Sequence, residues 1–259
     1  MDEERVDSAI ADFNGDGNID YATIVGGSDE VAILLGQGSA ALRFATGPEP
    51  VAIAIGYFNE DDILDLVTAN EGAASTGEIS LLFGNGDGTF QNPISIAIGG
   101  RPEDIATGDF DGDSSTDLVV AKLNEPAGLL MGNGDGTFEA IQSLDTMPAT
   151  SVKVANLNPA VDGSDDIITD GTILFGNGDG TFAEAVDFWT EVSDQVWLED
   201  LDGNGHPDII LTSKALLLAS VFRLHLDGTV DPPTHYVTDN FPEEPPSRRI
   251  STRMERPTC

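Results

Sequence analysis

The sequence predicts an all-β fold, a β-propeller of four-stranded antiparallel blades with five repeats visible. An acidic loop recurs five times, beginning at residues 12, 57, 109, 156 and 200. Successive copies lie 44 to 52 residues apart, a period typical of architectures in which each repeat is one structural unit. Short apolar segments flank every copy, and the 29 glycines of this 259-residue chain supply turns between them.

The pattern of apolar segments in each repeat predicts four strands, in a fixed order around the acidic loop. Val51–Ile55 precedes the loop and alternates bulky and small side chains, the period of a β-strand with both faces partly buried. An apolar run follows the loop, as at Leu118–Val120. A third strand such as Ile79–Phe83 leads into a Gly-Asn-Gly-Asp-Gly turn, and the fourth starts at Thr89-Phe90. Glycines beside Asn and Asp between two apolar strands indicate a hairpin.

Four-stranded units of this length are the blades of a propeller, in which neighbouring sheets bury each other's faces. The predicted domain is 1–240, with blades at about 6–46, 51–95, 103–143, 150–188 and 194–238. The fifth repeat is predicted to have lost its glycine turn. Residues 241–259 are rich in proline and arginine and are predicted to form a disordered tail. Five blades could close a ring or form an incomplete piece of a larger one.

The charge of the chain restricts its partners. It carries 46 acidic and 11 basic residues, a net charge of −35. Such a surface repels phosphate backbones and anionic headgroups, so we expect no nucleic-acid partner. The acidity requires bound cations or a high-salt setting. No apolar run is long enough to cross a bilayer, so no membrane insertion is expected, and Met1–Glu4 does not begin a signal peptide.

The first, third and fifth acidic loops carry oxygen side chains at positions 1, 3, 5 and 9 and offer a backbone carbonyl at position 7, and the first and fifth have a glycine at position 6. Such a set suits Ca²⁺ rather than Zn²⁺. The sequence therefore predicts about three calcium sites, and five if the two degenerate loops also bind. The predicted metal ligands are Asp12, Asn14, Asp16, Asn18 and Asp20 in the first loop, Asp109, Asp111, Asp113, Ser115 and Asp117 in the third, and Asp200, Asp202, Asn204, His206 and Asp208 in the fifth.

Two copies are degenerate. Loop 57–65 has Tyr57 at position 1, and loop 156–166 carries an insertion before Asp162. The alternative for all copies is an acidic β-turn that needs no metal, because Asp, Asn and Gly are ordinary turn formers. Convergent carboxylates repel one another without a cation, which favours the metal. An EF-hand is excluded, because its position 12 would fall inside a predicted strand, at Val120 for example.

This combination resembles the FG-GAP/VCBS repeats of integrin α-subunits and many bacterial surface proteins. The acidic loop, the apolar strand after it and Phe83-Gly84 recur at that family's spacing over about residues 6–238. The resemblance implies that the loop joins the first two strands of a blade and that its calcium is structural. It also implies about seven blades in a complete ring, and a secreted or cell-surface location.

We expect a monomeric binding or adhesion module whose partner is an extracellular protein or a carbohydrate. One alternative is a carbohydrate-active enzyme domain, a hydrolase or lyase; another is a structural spacer in a larger surface protein. No catalytic residue is predicted, because the sequence has no Gly-x-Ser-x-Gly, no His-Glu-x-x-His and no phosphate-binding glycine-Lys loop. Calcium is the one cofactor expected.

Overall fold

The computed structural model describes residues 7–38, 40–59, 61–72, 76–159, 163–187, 195–225 and 227–237. These ranges contain twenty β-strands and no helix. The strands form five four-stranded antiparallel sheets, which confirms the predicted fold class. The predicted tail at 241–259 lies outside the described residues. No helix in the described ranges has the length and apolar character needed to cross a membrane.

The strands of each sheet follow one another along the chain. Sheet 1 contains β1 (Ser8–Ala11), β2 (Asp20–Ile24), β3 (Glu30–Leu34) and β4 (Leu42–Ala45). Sheet 2 contains β5 (Pro50–Gly56), β6 (Asp65–Asn70), β7 (Glu78–Leu82) and β8 (Ile94–Ala97). Sheet 3 contains β9 (Pro102–Gly108), β10 (Asp117–Lys122), β11 (Glu125–Leu130) and β12 (Gln142–Ser143). Sheet 4 contains β13 (Val152–Ala155), β14 (Asp166–Thr169), β15 (Thr172–Leu174) and β16 (Val186–Asp187). Sheet 5 contains β17 (Gln195–Glu199), β18 (Asp208–Ser213), β19 (Leu218–Phe222) and β20 (Thr234–Val237).

The sheets pack face to face in chain order. The first strand of each sheet lies beside the first strand of the next, β1 beside β5, β5 beside β9, β9 beside β13 and β13 beside β17. One apolar core fills the space between each consecutive pair of sheets. Fully buried members of these four cores, one from each facing sheet, are Ile33 and Leu66, Leu81 and Leu118, Val119 and Ile167, and Ile168 and Ile209.

In sheets 2 to 5 the second strand is covered on both faces. Every residue of β6, β10 and β18 is buried, which is why these strands read as apolar runs without alternation. Polar side chains in them find partners inside the sheet. Thr68 donates to Asn70 Oδ1 at 2.9 Å, and Asn70 Nδ2 donates to Ser80 Oγ at 3.0 Å.

Sheet 1 presents an exposed apolar row on the face opposite sheet 2. Ile10 pairs with Tyr21, and Tyr21 pairs with Leu34, across three neighbouring strands. Their exposed fractions are 64%, 41% and 45%. The residues in the same register of sheet 2 include Leu66 and Leu82, both 0% exposed. Within the described residues, four apolar cores join the five sheets, and none joins sheet 5 to sheet 1.

The fifth sheet keeps a turn that the sequence predicted it had lost. Leu224 bridges Val230 just as Gly84 bridges Phe90 in sheet 2. Asp227 accepts hydrogen bonds from the backbone and hydroxyl of Thr229 at 3.1 and 2.7 Å, the pattern of the other turns. The prediction was wrong because it compared Leu218–Phe222 with the glycine turns of the other repeats, whereas these residues form β19 and the later Asp-Gly-Thr segment holds the turn. The fourth strand also begins later than predicted, at Ile94 in sheet 2.

Candidate metal centre

The five acidic loops each join the first strand of a sheet to its second strand. We number them 1 to 5, at residues 12–20, 57–65, 109–117, 156–166 and 200–208. Neighbouring loops contact one another directly. The backbone amide of Tyr57 donates to Thr116 Oγ1 at 3.3 Å, and that of Asp109 donates to Asp165 Oδ2 at 3.0 Å. Loops 2, 3 and 4 therefore adjoin one another along an acidic edge of the propeller, the edge on which all five loops join first and second strands.

Each of loops 1 to 3 rests on the glycine turn of the next sheet. The apolar residue at loop position 2 packs on a phenylalanine of that turn, with ring centroids 5.7 Å apart for Phe13 and Phe90. Gly88 donates its amide to the carbonyl of Phe13 at 3.1 Å. Loops 2 and 3 repeat the ring contact at 5.8 Å. The glycine turn and the acidic loop, two separate motifs in the sequence, thus pack against each other where consecutive sheets meet.

Loop 3 brings together the carboxylates expected of a cation site. One oxygen each of Asp109, Asp111 and Asp117 lie within 4.8 Å of one another, a grouping that no other described His, Cys, Asp or Glu residues reach. Asp109 accepts the amides of Gly112 and Ser114 at 2.8 and 3.1 Å, which curls the loop around this point. The predicted ligand Asp113 lies outside the group.

The surroundings of loop 3 disfavour the ionised form of its carboxyl groups unless a cation lies among them. Burial raises the pKa of Asp117 to about 6, and the neighbouring charges of Asp111 and Asp113 add to this effect. Hydrogen bonds from Phe110 and Gly132 offset only part of it. Burial likewise raises the pKa of Asp111. A divalent cation among these oxygens would remove the repulsion.

Loop 1 is built from the same turns. Asp12 accepts the amides of Asp16 and Gly17 at 3.1 and 2.7 Å, and Asp16 accepts the amide of Asn18 at 2.8 Å. In the described structure these carboxylates do not reach the three-fold grouping of loop 3. Asn14 Nδ2 instead donates to Asp16 Oδ2 at 3.3 Å. Loop 1 thus has the predicted donors in a more open arrangement.

Loop 5 contains a cationic side chain that the sequence interpretation missed. Asp200 accepts the amides of Gly203 and Gly205 at 2.7 and 2.9 Å, so the loop has the expected curl. The Arg223 guanidinium, just past β19, donates to the buried carboxylate of Asp208. The predicted ligands Asp202, Asn204 and His206 lie along this curled loop. The amide of Asn204 donates to Asp202 Oδ1 at 3.0 Å, and the amide of His206 donates to Asn204 Oδ1 at 2.7 Å.

The aspartate at loop position 9 has a structural role in every sheet. One of its oxygens accepts the amide of loop position 2, and the other accepts the amide of the second residue after the third strand, at 2.6 to 3.1 Å. We call this arrangement the carboxylate clamp. Its members are Asp20, Asp65, Asp117, Asp166 and Asp208, none more than 1% exposed.

The second donor of the clamp is a glycine in sheets 1 to 4, and the geometry explains why. A Cβ on Gly84 would lie 2.3 Å from the carbonyl oxygen of Leu64, and the equivalent glycines are similarly tight. In sheet 5 the donor is Leu224, and both clamp hydrogen bonds of Asp208 are 3.1 Å long. The sequence contained a signal for the clamp, because position 9 stays aspartate even in loops 2 and 4.

The degenerate loops lack a carboxylate at position 1. Loop 2 has Tyr57 at this position, which is 52% exposed and offers no carboxylate. In both loops an asparagine offers a buried amide oxygen without a hydrogen-bond partner in the described structure, Asn59 Oδ1 in loop 2 and Asn156 Oδ1 in loop 4. Asp162 lies outside the described residues.

Comparison with known families identifies the repeat. Residues 58–120 match the family profile described as an FG-GAP-like repeat. This segment of the chain is similar to an FG-GAP-like repeat. The matched FG-GAP segment runs from loop 2 through all of sheet 2 to loop 3 and β10, so it includes the carboxylate grouping of Asp109, Asp111 and Asp117. The resemblance predicted from the sequence is confirmed.

Solved structures similar to this chain include propeller proteins. A lectin of Agrocybe aegerita, described as recognising non-reducing terminal N-acetylglucosamine, superposes with a TM-score of 0.61 at 19% identity, covering 92% of this chain and 67% of the lectin. BBS1N, solved in complex with ARL6DN, gives a TM-score of 0.56 at 14% identity, covering 90% of this chain and 69% of BBS1N. At these identities the likeness concerns the fold alone. No curated protein matches the sequence.

Proposed function

We propose that this FG-GAP repeat propeller is a calcium-stabilised binding module that acts outside the cell or on its surface. The observation that carries the proposal is the grouping of Asp109, Asp111 and Asp117 within 4.8 Å in loop 3. The ligand is an extracellular carbohydrate or protein, and calcium fixes the loops without taking part in chemistry. The propeller acts as a monomer.

The donor set of loop 3 suits calcium. Its side-chain donors are all carboxylates, which are hard ligands of the kind that Ca²⁺ takes from curled loops in a flexible coordination shell. Asp109, Asp111 and Asp117 would hold the ion, with Asp113 and the carbonyl of Ser115 completing the shell. The bound cation would offset part of the net charge of −35 and would keep Asp117 ionised.

The acidic edge is the proposed binding surface. Loops 2, 3 and 4 touch one another through backbone donors and side-chain oxygens of neighbouring sheets. A cation that stiffens one loop would therefore also hold its neighbours. The propeller likeness to a lectin makes a carbohydrate the first ligand class to test. A rigid set of loops on a sheet scaffold is a usual platform for such recognition.

We infer that the chain is not an enzyme. Within the described part of the chain, one serine hydroxyl lies beside a histidine, Ser220 Oγ at 2.9 Å from His235 Nδ1. These residues are direct cross-strand partners in β19 and β20, and Ser220 is 1% exposed. A substrate could not reach that hydroxyl, so the pair serves the sheet rather than catalysis. Incubation of any glycan that the propeller binds should leave its glycosidic bonds intact.

Thermal unfolding tests the calcium proposal. We expect millimolar Ca²⁺ to raise the unfolding midpoint above its value in EDTA at constant ionic strength, because calcium binds the folded state alone. Asp111→Asn should reduce the shift, whereas the same change at the exposed Asp145 should leave it intact. Absence of a shift, or an equal shift from added NaCl, would refute the structural calcium site.

Glycan-array binding tests the ligand class. We expect labelled protein to bind a defined set of glycans in Ca²⁺ and to lose that binding in EDTA, because the loops then lose their fixed geometry. The matched control is the Asp111→Asn variant in Ca²⁺. Binding to no glycan would remove carbohydrate from the proposal and leave an extracellular protein as the ligand.

A further inference from the structure

Loop 5 has a complete set of calcium ligands in the sequence, yet its structure differs from that of loops 1 and 3 at one point. The Arg223 guanidinium contacts Asp208 Oδ2. Asp208 is 0% exposed, and the side chain of Arg223 is 35% exposed. Among the described residues, the clamp aspartates Asp20, Asp65 and Asp117 form no ion pair.

The residue equivalent to Arg223 is apolar in the other four sheets. It immediately precedes the second clamp donor and is Leu35, Phe83, Met131 or Phe175. In each case the glycine turn of the next sheet lies against this side chain. A Cβ on Gly88 would lie 2.6 Å from Leu35, and one on Gly136 would lie 2.2 Å from Phe83. Gly180 and Gly228 approach Met131 and Phe175 in the same way, at 3.3 and 3.2 Å.

Arg223 has no such turn against it within the described residues, since sheet 5 is the last sheet described. Its side chain instead reaches back into its own sheet and meets the clamp carboxylate. That carboxylate then has three donors, the amides of Leu201 and Leu224 and the guanidinium. A calcium ion at this place would have to displace the guanidinium or lie beside a fixed positive charge, which repels it strongly at low dielectric.

We propose that loop 5 is closed by Arg223 in place of a divalent cation, so that it binds no calcium while loops 1 and 3 do. The inference rests on the proposed function, because it assumes that uncapped loops of this type bind calcium. The fifth loop is then a permanently ordered part of the acidic edge, and its geometry does not respond to calcium concentration. Residues 200–208 thus keep the full calcium-ligand motif, but the positive charge beside Asp208 is the guanidinium of Arg223 and not a metal ion.

Calcium stoichiometry by equilibrium dialysis and titration calorimetry tests this assignment. Asp202→Ala in loop 5 should leave the number of bound calcium ions unchanged, whereas Asp111→Ala in loop 3 should remove one, because alanine offers no ligand oxygen at this position. Arg223→Met, which copies Met131 of sheet 3, should bind one calcium more than the wild type. The double variant Arg223→Met with Asp202→Ala should lose that extra ion. Arg43→Met is the control, since it removes an equally charged but half-exposed side chain that pairs with Glu30.

The outcomes separate the two proposals. Loss of one calcium from Asp202→Ala in the wild-type background, or no gain in folded Arg223→Met, overturns the role of Arg223 and leaves the calcium proposal standing. A wild-type chain that binds no calcium overturns both. If Arg223→Met fails to fold, the comparison of Asp202→Ala with Asp111→Ala still decides the question.

Discussion

The carboxylate of Asp104 in β9 accepts a hydrogen bond from the backbone amide of Val152, the first residue of β13 in the next sheet, at 3.0 Å. Its other oxygen accepts the amide of Ile105 at 2.9 Å. Asp7 does the same between sheets 1 and 2, where it accepts the amide of Ile53 at 2.9 Å. First strands have no neighbour on their inner edge, so their amides need side-chain acceptors. These aspartates join consecutive sheets near the strand ends opposite the acidic loops.

Asp104→Ala should lower the free energy of unfolding by about 2–4 kcal/mol, because it leaves the amides of Val152 and Ile105 without an acceptor. Asp104→Asn keeps one acceptor oxygen and should lose less. Urea denaturation in EDTA measures both, with the exposed Asp145→Ala as control. If Asp104→Ala unfolds at the same urea concentration as the wild type, the inter-sheet hydrogen bond has no energetic role.

The carboxylate clamp can be separated from metal binding in loop 2, which has no carboxylate at position 1. Asp65→Ala strands the amides of Phe58 and Gly84 and should cost about 2–5 kcal/mol of stability. The loss should be equal in EDTA and in Ca²⁺, because the clamp acts without a cation. Urea denaturation under both conditions measures it. A loss seen in calcium alone would mean that Asp65 acts chiefly as a metal ligand.

The exposed row of sheet 1 and its buried counterpart in sheet 2 form a matched pair. Leu66→Ala should cost about 2–5 kcal/mol, because it opens a cavity in the core between sheets 1 and 2. Tyr21→Ala, at the equivalent position of sheet 1, should cost roughly 1 kcal/mol or less. Chemical denaturation of the two variants gives the comparison. Equal losses would show that the outer face of sheet 1 is covered in solution.

The stability of the chain should depend on pH through Asp170. Burial raises the pKa of this carboxyl, and hydrogen bonds from Thr150 and Ser151 offset only part of that effect. In the unfolded chain an aspartate titrates near pH 4. Above that pH and below the folded pKa, the folded state keeps a proton that the unfolded state has released, so stability falls as pH rises.

Asp170→Asn does not titrate at this position and isolates the effect. We expect the stability of the wild type relative to this variant to decrease as pH rises above about 4, and to level off above the folded pKa. Urea denaturation at several pH values in EDTA provides the measurement. A constant difference across the range would contradict the raised pKa.

Most of the fold could be predicted from the repeat period, because each blade must bury both faces and therefore repeats its apolar pattern. An apolar residue recurs at position 2 of every loop in the sequence, and Phe13, Phe58 and Phe110 are buried. The grouping of Asp109, Asp111 and Asp117 also follows from motif spacing. Whether these loops hold calcium stays a prediction.

Contacts between distant residues could not be derived from spacing. Arg223 lies 15 residues from Asp208, and nothing in the loop motif indicates that this side chain enters it. The inter-sheet bond of Asp104 spans 48 residues to Val152. Such partners become visible once register is known, because one residue of slip would send each side chain to the opposite face.

The serial order of the apolar cores has a consequence for how the propeller opens. Sheets 2, 3 and 4 each share two cores with their neighbours, whereas sheets 1 and 5 each share one within the described residues. In a linear array of this kind, local unfolding is cheapest at a unit held from one side. Amide hydrogens of β2 and β3 should therefore exchange with solvent faster than those of β6 and β7 when followed by mass spectrometry. Fraying would then proceed from sheets 1 and 5 inward, while the middle blades remain protected longest.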